Sequence, residues 1–147
     1  MTRNIFSECI RINITDEKME AHILFDRYWD VYLSHDECIP LILQLLGYIE
    51  TQLKMKHLNG IHIMVYNVHD SVMNSLTING LIHHCVSIMQ EFGPKNILGR
   101  ADVYNCTTRV RKYWEMLKPY LRPNTVSNTH IHHVSSDDYR IIKLFSP

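Results

Sequence analysis

Histidines are the side chains of this sequence whose type and spacing point most directly to chemistry. His130, His132 and His133 lie close together, and His83 and His84 form a second pair. Alternate residues of a β-strand share a face, so His130 and His132 could bind a metal together while His133 points the other way. The sequence places no third ligand at a recognisable spacing. We therefore expect solvated or hydrogen-bonded strand histidines, with neither a metal nor a cofactor.

Two cysteines are candidates for nucleophilic chemistry. Cys85 and Cys106 could act as nucleophiles only beside a base that activates the thiol. Both lie in segments of apolar periodicity, where inert core thiols are the commoner case. The four cysteines contain no C-x-x-C pair and no regular disulfide framework. We therefore expect reduced, structural thiols in a cytoplasmic protein.

Motifs typical of enzymes with α/β folds are absent. The sequence contains no G-x-G-x-x-G, no G-x-x-x-x-G-K-[ST], no G-x-S-x-G and no H-E-x-x-H. Its 15 Lys and Arg residues equal its 15 Asp and Glu residues, so no global charge favours nucleic acid. No segment approaches the roughly 18 apolar residues of a membrane span. We therefore expect a non-enzymatic protein that is cytoplasmic and contacts membranes, if at all, peripherally.

Strands and helices alternate along the chain. We predict strands at residues 9–14, 22–25, 61–68, 101–106 and 126–134, and helices at residues 36–54, 74–91 and 108–121. Residues 61–68 are apolar on both faces, which is typical of a central strand covered on both sides. The length of 147 residues fits one domain. The sequence thus predicts a single α/β domain over residues 1–147, a three-layer sandwich with a largely parallel sheet.

The segment from residue 101 to residue 132 resembles the carboxyl half of CRAL-TRIO, or Sec-fourteen-like, lipid-binding domains. In that family a strand ending in Asn leads into a helix that closes on Lys-Pro-aromatic-Leu, followed by a turn and Thr-Val-Ser. The matching residues here are Asn105, Lys118, Pro119, Tyr120, Leu121, Pro123, Thr125, Val126 and Ser127. The resemblance extends over residues 21–144. It implies a sheet with helices on one face and an apolar cavity on the other.

The resemblance also implies a function, the binding of a phospholipid or another hydrophobic molecule, with transfer or presentation of that lipid at membranes. Helix 108–121 would act as the gate of the cavity. We expect the lipid to contact Met64, Tyr66, Tyr104, Trp114, Leu117 and Leu121. We expect a headgroup or a membrane surface to contact Arg100, Lys118 and Arg122.

The sequence departs from the family at several points. Members that bind phosphatidylinositol have Glu and Lys where this sequence has Lys95 and Asn128, which argues against that headgroup. The amino-terminal helical domain of the family is missing, so we expect a truncated form whose apolar surface a homodimer or a partner covers. An alternative is a protein-interaction scaffold with an empty or vestigial lipid pocket.

A third interpretation is the sulfate-transporter and anti-sigma-antagonist domain, which is also a small α/β module. In that domain a phosphorylated serine at the start of a helix controls pairing, and Ser71 or Ser75 would have that role. This interpretation does not explain the Lys118–Pro119 segment. We therefore place it behind lipid binding and behind the scaffold.

Overall fold

The computed structural model describes residues 6–34, 38–66, 79–80, 82–84, 97–104 and 108–132, except for the side chains of residues 26, 33, 34 and 109. The strands of these ranges are β1 (Ile10–Ile14), β2 (Met19–Leu24), β3 (Ile61–Tyr66), β4 (Leu98–Tyr104) and β5 (Thr129–Ile131). The helices are α1 (Phe25–Ser34), α2 (Cys38–Met55), α3 (Thr108–Leu117) and α4 (Pro123–Ser127), with a 3-10 turn at Lys118–Tyr120.

The five strands form one mixed sheet in the order β1-β2-β3-β4-β5. β1 is antiparallel to β2, and all the other neighbours are parallel. This confirms the predicted α/β class and the largely parallel sheet. Strands β2 to β5 lie side by side in their order along the chain, so right-handed crossovers between them all pass over the same face of the sheet. Such a sheet does not require helices on both of its faces. The described residues do not confirm the predicted three-layer sandwich.

Helix α2 covers the first face of the sheet. Its buried residues Ile49 and Leu53 are one turn apart, which places them on the same side of the helix. They pack against Met19, Ala21 and Ile61, which the strands present on that face. Burying an Ile or Leu side chain contributes about 1.5–3 kcal/mol relative to leaving it exposed. The predicted helix 36–54 is thus confirmed from Cys38 onward, and its periodicity is that of a core-facing helix.

Helix α1 was not expected from the sequence. It starts at Phe25, directly after the last residue of β2, so no turn residue separates the strand from the helix. Its Trp29 is only 2% exposed and packs against Val110 and Tyr113 of α3. The strand predicted at residues 22–25 therefore ends at Leu24, and α1 holds α3 in place.

The predictions around the third helix need two corrections. The predicted helix 108–121 is α-helical only to Leu117 and then tightens into the 3-10 turn, where Pro119 has no N–H to donate. The predicted strand 126–134 is wrong at its start, because Val126 and Ser127 belong to α4, which begins at Pro123. The strand itself is only Thr129–Ile131, and residues 133–134 lie outside the described part. Of the predicted helix 74–91, residues 79–80 and 82–84 are described, and they are helical.

Two glycines meet where β3 and β4 begin. A Cβ atom on Gly60 would lie 2.7 Å from the backbone nitrogen of Gly99 and 2.8 Å from its Cα. Real Cβ atoms do not approach backbone so closely. The register between β3 and β4 also shifts at this point, between Ile61 and His62. Gly60 therefore lets the two strands pair at the distance that a sheet requires.

Candidate functional site: the second face of the sheet

The sheet face opposite α2 is divided into a polar and an apolar half. Strand alternation and the parallel register place its residues in three rows across β2, β3 and β4. The rows, from the amino to the carboxyl ends of the strands, are Glu20, His62 and Arg100, then His22, Met64 and Asp102, then Leu24, Tyr66 and Tyr104. The polar side chains thus lie at the amino ends of the strands, and the apolar ones at the carboxyl ends.

Asp102 is the centre of the polar half. Its side chain is 3% exposed, and each carboxylate oxygen accepts two hydrogen bonds. Oδ2 accepts from Arg100 Nε at 2.8 Å and from His62 Nε2 at 2.6 Å. Oδ1 accepts from the second guanidinium nitrogen of Arg100 at 3.0 Å and from His132 Nε2 at 2.7 Å. Since a carboxylate offers about four acceptor sites, this buried charge is fully hydrogen-bonded.

These contacts explain the ionisation of Asp102. Burial alone would raise the pKa of its carboxyl group, because removal from water disfavours the charged form. Hydrogen bonds from Arg100, His132 and His62 more than offset burial, so the pKa lies below its ordinary value. The carboxylate is therefore ionised at neutral pH, and its contacts tie β4 to β3 and to the residue that follows β5.

The cluster fixes two imidazole rings in orientation. Each ring gives its Nε2–H to Asp102, which leaves Nδ1 as the nitrogen able to bind a ligand. Neither ring bonds to a Ser, Thr or Cys side chain within the described residues, so they assemble no hydrolase triad there. No group of three potential metal ligands occurs in that same part of the chain. Both histidines agree with the expectation of solvated or hydrogen-bonded side chains, because His132 is hydrogen-bonded and His130 is exposed.

The apolar half is a cluster of Leu24, Met64 and Tyr66, all buried, with Tyr104 packed against them. Tyr104 also stacks on His132, with ring centroids 4.8 Å apart and planes 14° apart. The apolar cluster and the Asp102 cluster are therefore in direct contact.

The six residues predicted to contact a lipid lie in two places. Met64, Tyr66 and Tyr104 come together in the apolar half. Trp114 lines a groove between α3 and β5. Leu117 is buried at the end of α3, and Leu121 is half-buried after the 3-10 turn.

The three residues predicted to contact a headgroup have different surroundings. Arg100 is bound to Asp102. Lys118 forms an ion pair with Glu115 at 2.9 Å, and its ammonium lies 5.8 Å from the ring centroid of Trp114. Arg122 is exposed and precedes α4. Within the described residues, the three share no hydrogen-bond or ion-pair partner.

Another histidine, His84, is buried and packs against aromatic residues of α1. The ring of His84 packs against Tyr28, Trp29 and Tyr32, and its Nε2 is 2.8 Å from the hydroxyl of Tyr28. Burial, with a smaller contribution from the neighbouring His83, lowers the pKa of His84 to about 4. His84 is thus a buried and neutral histidine at pH 7.

Asp102 and His62 were missed as site residues. The sequence around Asp102 is that of an ordinary strand, and His62 lies 40 residues away. The available signal was an aspartate between apolar residues of a strand, since an acidic residue is almost never buried without partners. Arg100 shares the strand and the face of Asp102. The pairing of β3 with β4 and of β4 with β5 brings His62 and His132 to the same carboxylate.

No described helix is long and apolar enough to cross a bilayer. No family model and no curated protein matches this sequence. Among solved structures, the crystal structure of Sfh5, a Sec-fourteen-family CRAL-TRIO protein, matches with a TM-score of 0.62 and 12% sequence identity. The match covers 90% of this chain, which spans 49% of Sfh5. The strands, their order and this likeness identify the fold of the chain as CRAL-TRIO-like.

Proposed function

We propose that this chain is a non-enzymatic binder of a lipid-like hydrophobic molecule. The observation that supports the proposal most directly is the apolar row of Leu24, Tyr66 and Tyr104 on the sheet face opposite α2. In CRAL-TRIO domains, the sheet face that borders the apolar cavity is where the family resemblance puts the ligand. The hydrocarbon part of the ligand would contact this row.

The division of the face into two halves suggests the polarity of the ligand. Asp102 and its partners occupy the second and first rows, where a purely apolar molecule would meet hydrogen-bonded charges. Polar groups need hydrogen-bond partners when they leave water, so an amphipathic molecule fits this sheet face better than a hydrocarbon does. We therefore infer a ligand with an apolar tail and a polar end.

The test is the identification of copurifying small molecules. Untagged protein from several expression hosts is extracted with organic solvent, and the extract is analysed by mass spectrometry. Parent protein should carry a lipid in near-stoichiometric amount. Tyr104→Glu should lose it, because a charge would replace an aromatic ring that packs against the apolar row.

A matched control is Tyr48→Glu. Tyr48 is exposed on α2, so the same substitution there should leave the lipid content unchanged. Circular dichroism establishes that both variants fold. Extracts without lipid from every host, or equal lipid content in both variants, would contradict the proposal. Copurification of one protein partner in stoichiometric amount, without a lipid, would favour the alternative of a protein-interaction scaffold.

Presentation of the lipid at a membrane is the second part of the proposal. Met116 and Tyr120 are large apolar residues exposed on α3 and on the 3-10 turn. Lys112 and Arg122 are exposed cations near them in the sequence. Apolar side chains flanked by cations are typical of surfaces that lie in the interface of anionic bilayers.

Cosedimentation with vesicles of phosphatidylcholine and phosphatidylserine tests the membrane surface. Replacing Met116 and Tyr120 by Ser should weaken association, because the variant inserts less apolar area. The control is Met55→Ser, since Met55 is equally apolar and exposed at the end of α2. Equal association of all three proteins would rule out this surface.

A further inference from the structure

A groove of about 440 Å³ lies between α3 and β5. Arg111, Trp114 and Lys118 line it from the helix side, and His130 and His132 line it from the strand side. The volume is within the range of small-molecule sites, roughly 300–1,000 Å³. The groove is lined mainly by polar side chains and is distinct from the apolar row of Leu24, Tyr66 and Tyr104.

The charge of the groove is positive. Arg111 and Lys118 contribute two positive charges, and Glu115 contributes one negative charge, which leaves one positive charge with both histidines neutral. Glu115 already accepts a hydrogen bond from Lys118 at 2.9 Å. Arg111 has no hydrogen-bond or ion-pair partner among the described residues, so its guanidinium can bind an anion with two parallel hydrogen bonds.

His132 is held in place before any ligand arrives. Asp102 accepts its Nε2–H at 2.7 Å, and Tyr104 stacks on the ring. The ring therefore loses little freedom when it binds, which lowers the entropic cost of binding. A protonated ring would donate from Nδ1 to an anion while Nε2 stays with Asp102. His130 pairs with Asp102 in the strand register and is exposed beside it.

We propose that this groove binds a phosphate monoester. Arg111, Lys118 and His132 surround the phosphate, and the ring of Trp114 contacts the less polar part of the same molecule. A phosphate monoester presents up to two negative charges and three acceptor oxygens, which several converging donors match better than a carboxylate would. Two sources share this chemistry, a phospholipid such as phosphatidic acid and a soluble phosphate monoester. The inference does not depend on the lipid proposed for the apolar row.

The first experiment is a titration of the full chain with inorganic phosphate. The side-chain NMR signals of His130 and His132 report binding, at constant pH and ionic strength with chloride as the balancing ion. Saturable shifts are expected. Arg111→Gln and Lys118→Gln should each weaken phosphate binding about tenfold, since each removes charge-assisted hydrogen bonds. Arg111→Lys should weaken it less, because it keeps the charge but loses the paired donors.

The control is Lys112→Gln, which removes the same charge from the residue next to Arg111 but outside the groove lining. It should leave the affinity for phosphate within about twofold, because an exposed charge at a distance is screened by salt. Shifts that do not saturate, or equal weakening by Lys112→Gln and Arg111→Gln, would overturn the proposal.

Vesicles distinguish the two sources of the phosphate. Parent protein and Arg111→Gln are compared on phosphatidylcholine vesicles that contain either phosphatidic acid or phosphatidylserine. A preference for phosphatidic acid that Arg111→Gln abolishes supports the site and identifies a headgroup. Arg111-dependent binding of inorganic phosphate without that preference supports the site with a soluble ligand. Copurification of a hydrophobic lipid is measured separately. A negative result for phosphate binding in the groove can therefore be distinguished from a negative result for lipid binding at the apolar row.

Discussion

Asp102→Asn is the substitution that probes the polar half of the second face most directly. It keeps the size of the side chain but replaces one carboxylate oxygen by an amide NH₂ group, which can only donate. In the parent, Oδ2 accepts from Arg100 Nε and from His62 Nε2. The amide nitrogen would face the N–H of Arg100, and the remaining oxygen would accept weaker bonds from a neutral group.

The expected cost follows from these contacts. A hydrogen bond to a charged group contributes about 1.5–3 kcal/mol, and the substitution removes two and weakens two more. The loss is partly recovered, because the side chains of Arg100 and His62 are partly exposed and can hydrogen-bond to water. We expect the free energy of unfolding to fall by about 3 kcal/mol, near the lower limit for breaking a buried ion pair. This corresponds to a fall in Tm of about 6–12 °C for a chain of this size.

Equilibrium urea unfolding at neutral pH, followed by circular dichroism, measures this change. The control is Asp16→Asn, because Asp16 also forms an ion pair, with Lys56 at 2.8 Å, but is 90% exposed. Exposed ion pairs contribute little to stability, so the control should unfold at nearly the same urea concentration as the parent. Similar denaturation midpoints for the parent and both variants would refute the reasoning about the Asp102 cluster.

Acid unfolding gives an independent reading of the same group. The pKa of Asp102 in the folded protein lies below its ordinary value of about 3.9. Its contribution to stability is therefore complete above about pH 5 and is lost as the pH falls through the folded pKa. The difference between parent and Asp102→Asn should be constant above about pH 5 and should shrink below about pH 4. A constant difference at every pH would exclude the carboxylate as its cause.

Three further predictions concern two buried side chains and two glycines. Burial lowers the pKa of His84 to about 4, so the free energy of unfolding should fall by about 3 kcal/mol between about pH 6.5 and pH 4, and His84→Phe should remove this fall. Burial raises the pKa of the Cys9 thiol to about 12, so iodoacetamide should label Cys9 only after unfolding, as measured by peptide mass spectrometry. Gly47→Ala should raise the free energy of unfolding by about 1 kcal/mol, and Gly60→Ala should lower it by about 1–3 kcal/mol.

Each of these predictions has its own control and contrary result. His83→Phe, at an exposed position, should keep most of the acid dependence, because burial is the larger cause of the lowered pKa of His84, and complete loss of the dependence there would contradict the role of burial. Labelling of Cys9 at the rate of a free thiol in the folded protein would show that the residue is accessible. Gly47 has open space for a Cβ atom, whereas Gly60 does not, so equal effects of the two alanines would contradict the close approach of β3 and β4.

The parts of the fold that the sequence predicts well are those with a strong local pattern. β3 is apolar on both faces, and α2 has buried residues at helical spacing. Helix α1 was missed because it follows β2 without a turn and is rich in aromatic residues. The predicted strand 126–134 included Val126 and Ser127, and β-branched residues such as Val126 favour strands. These two residues instead belong to α4, which starts at Pro123, a residue typical of the first turn of a helix.

The site could be predicted only in part, because its contacts join distant segments. Met64, Tyr66 and Tyr104 were expected on one face, since strand alternation and parallel pairing follow from the sequence pattern. The contact between Asp102 and His62 depends on which residue of β3 stands opposite which residue of β4. The shift in register between Ile61 and His62 changes that alignment, and no local sequence pattern predicts the shift.

The contact between α1 and α3 supplies the protein with an optical reporter. The chain has only two tryptophans, and Trp29 is buried beneath Val110 and Tyr113 of α3. If α3 moved outward to admit a ligand, the indole of Trp29 would lose its contacts with Val110 and Tyr113, and greater exposure to water would shift its emission to longer wavelength. With Trp114 replaced by Phe, the remaining fluorescence would follow the opening of the helix in real time, without any attached dye.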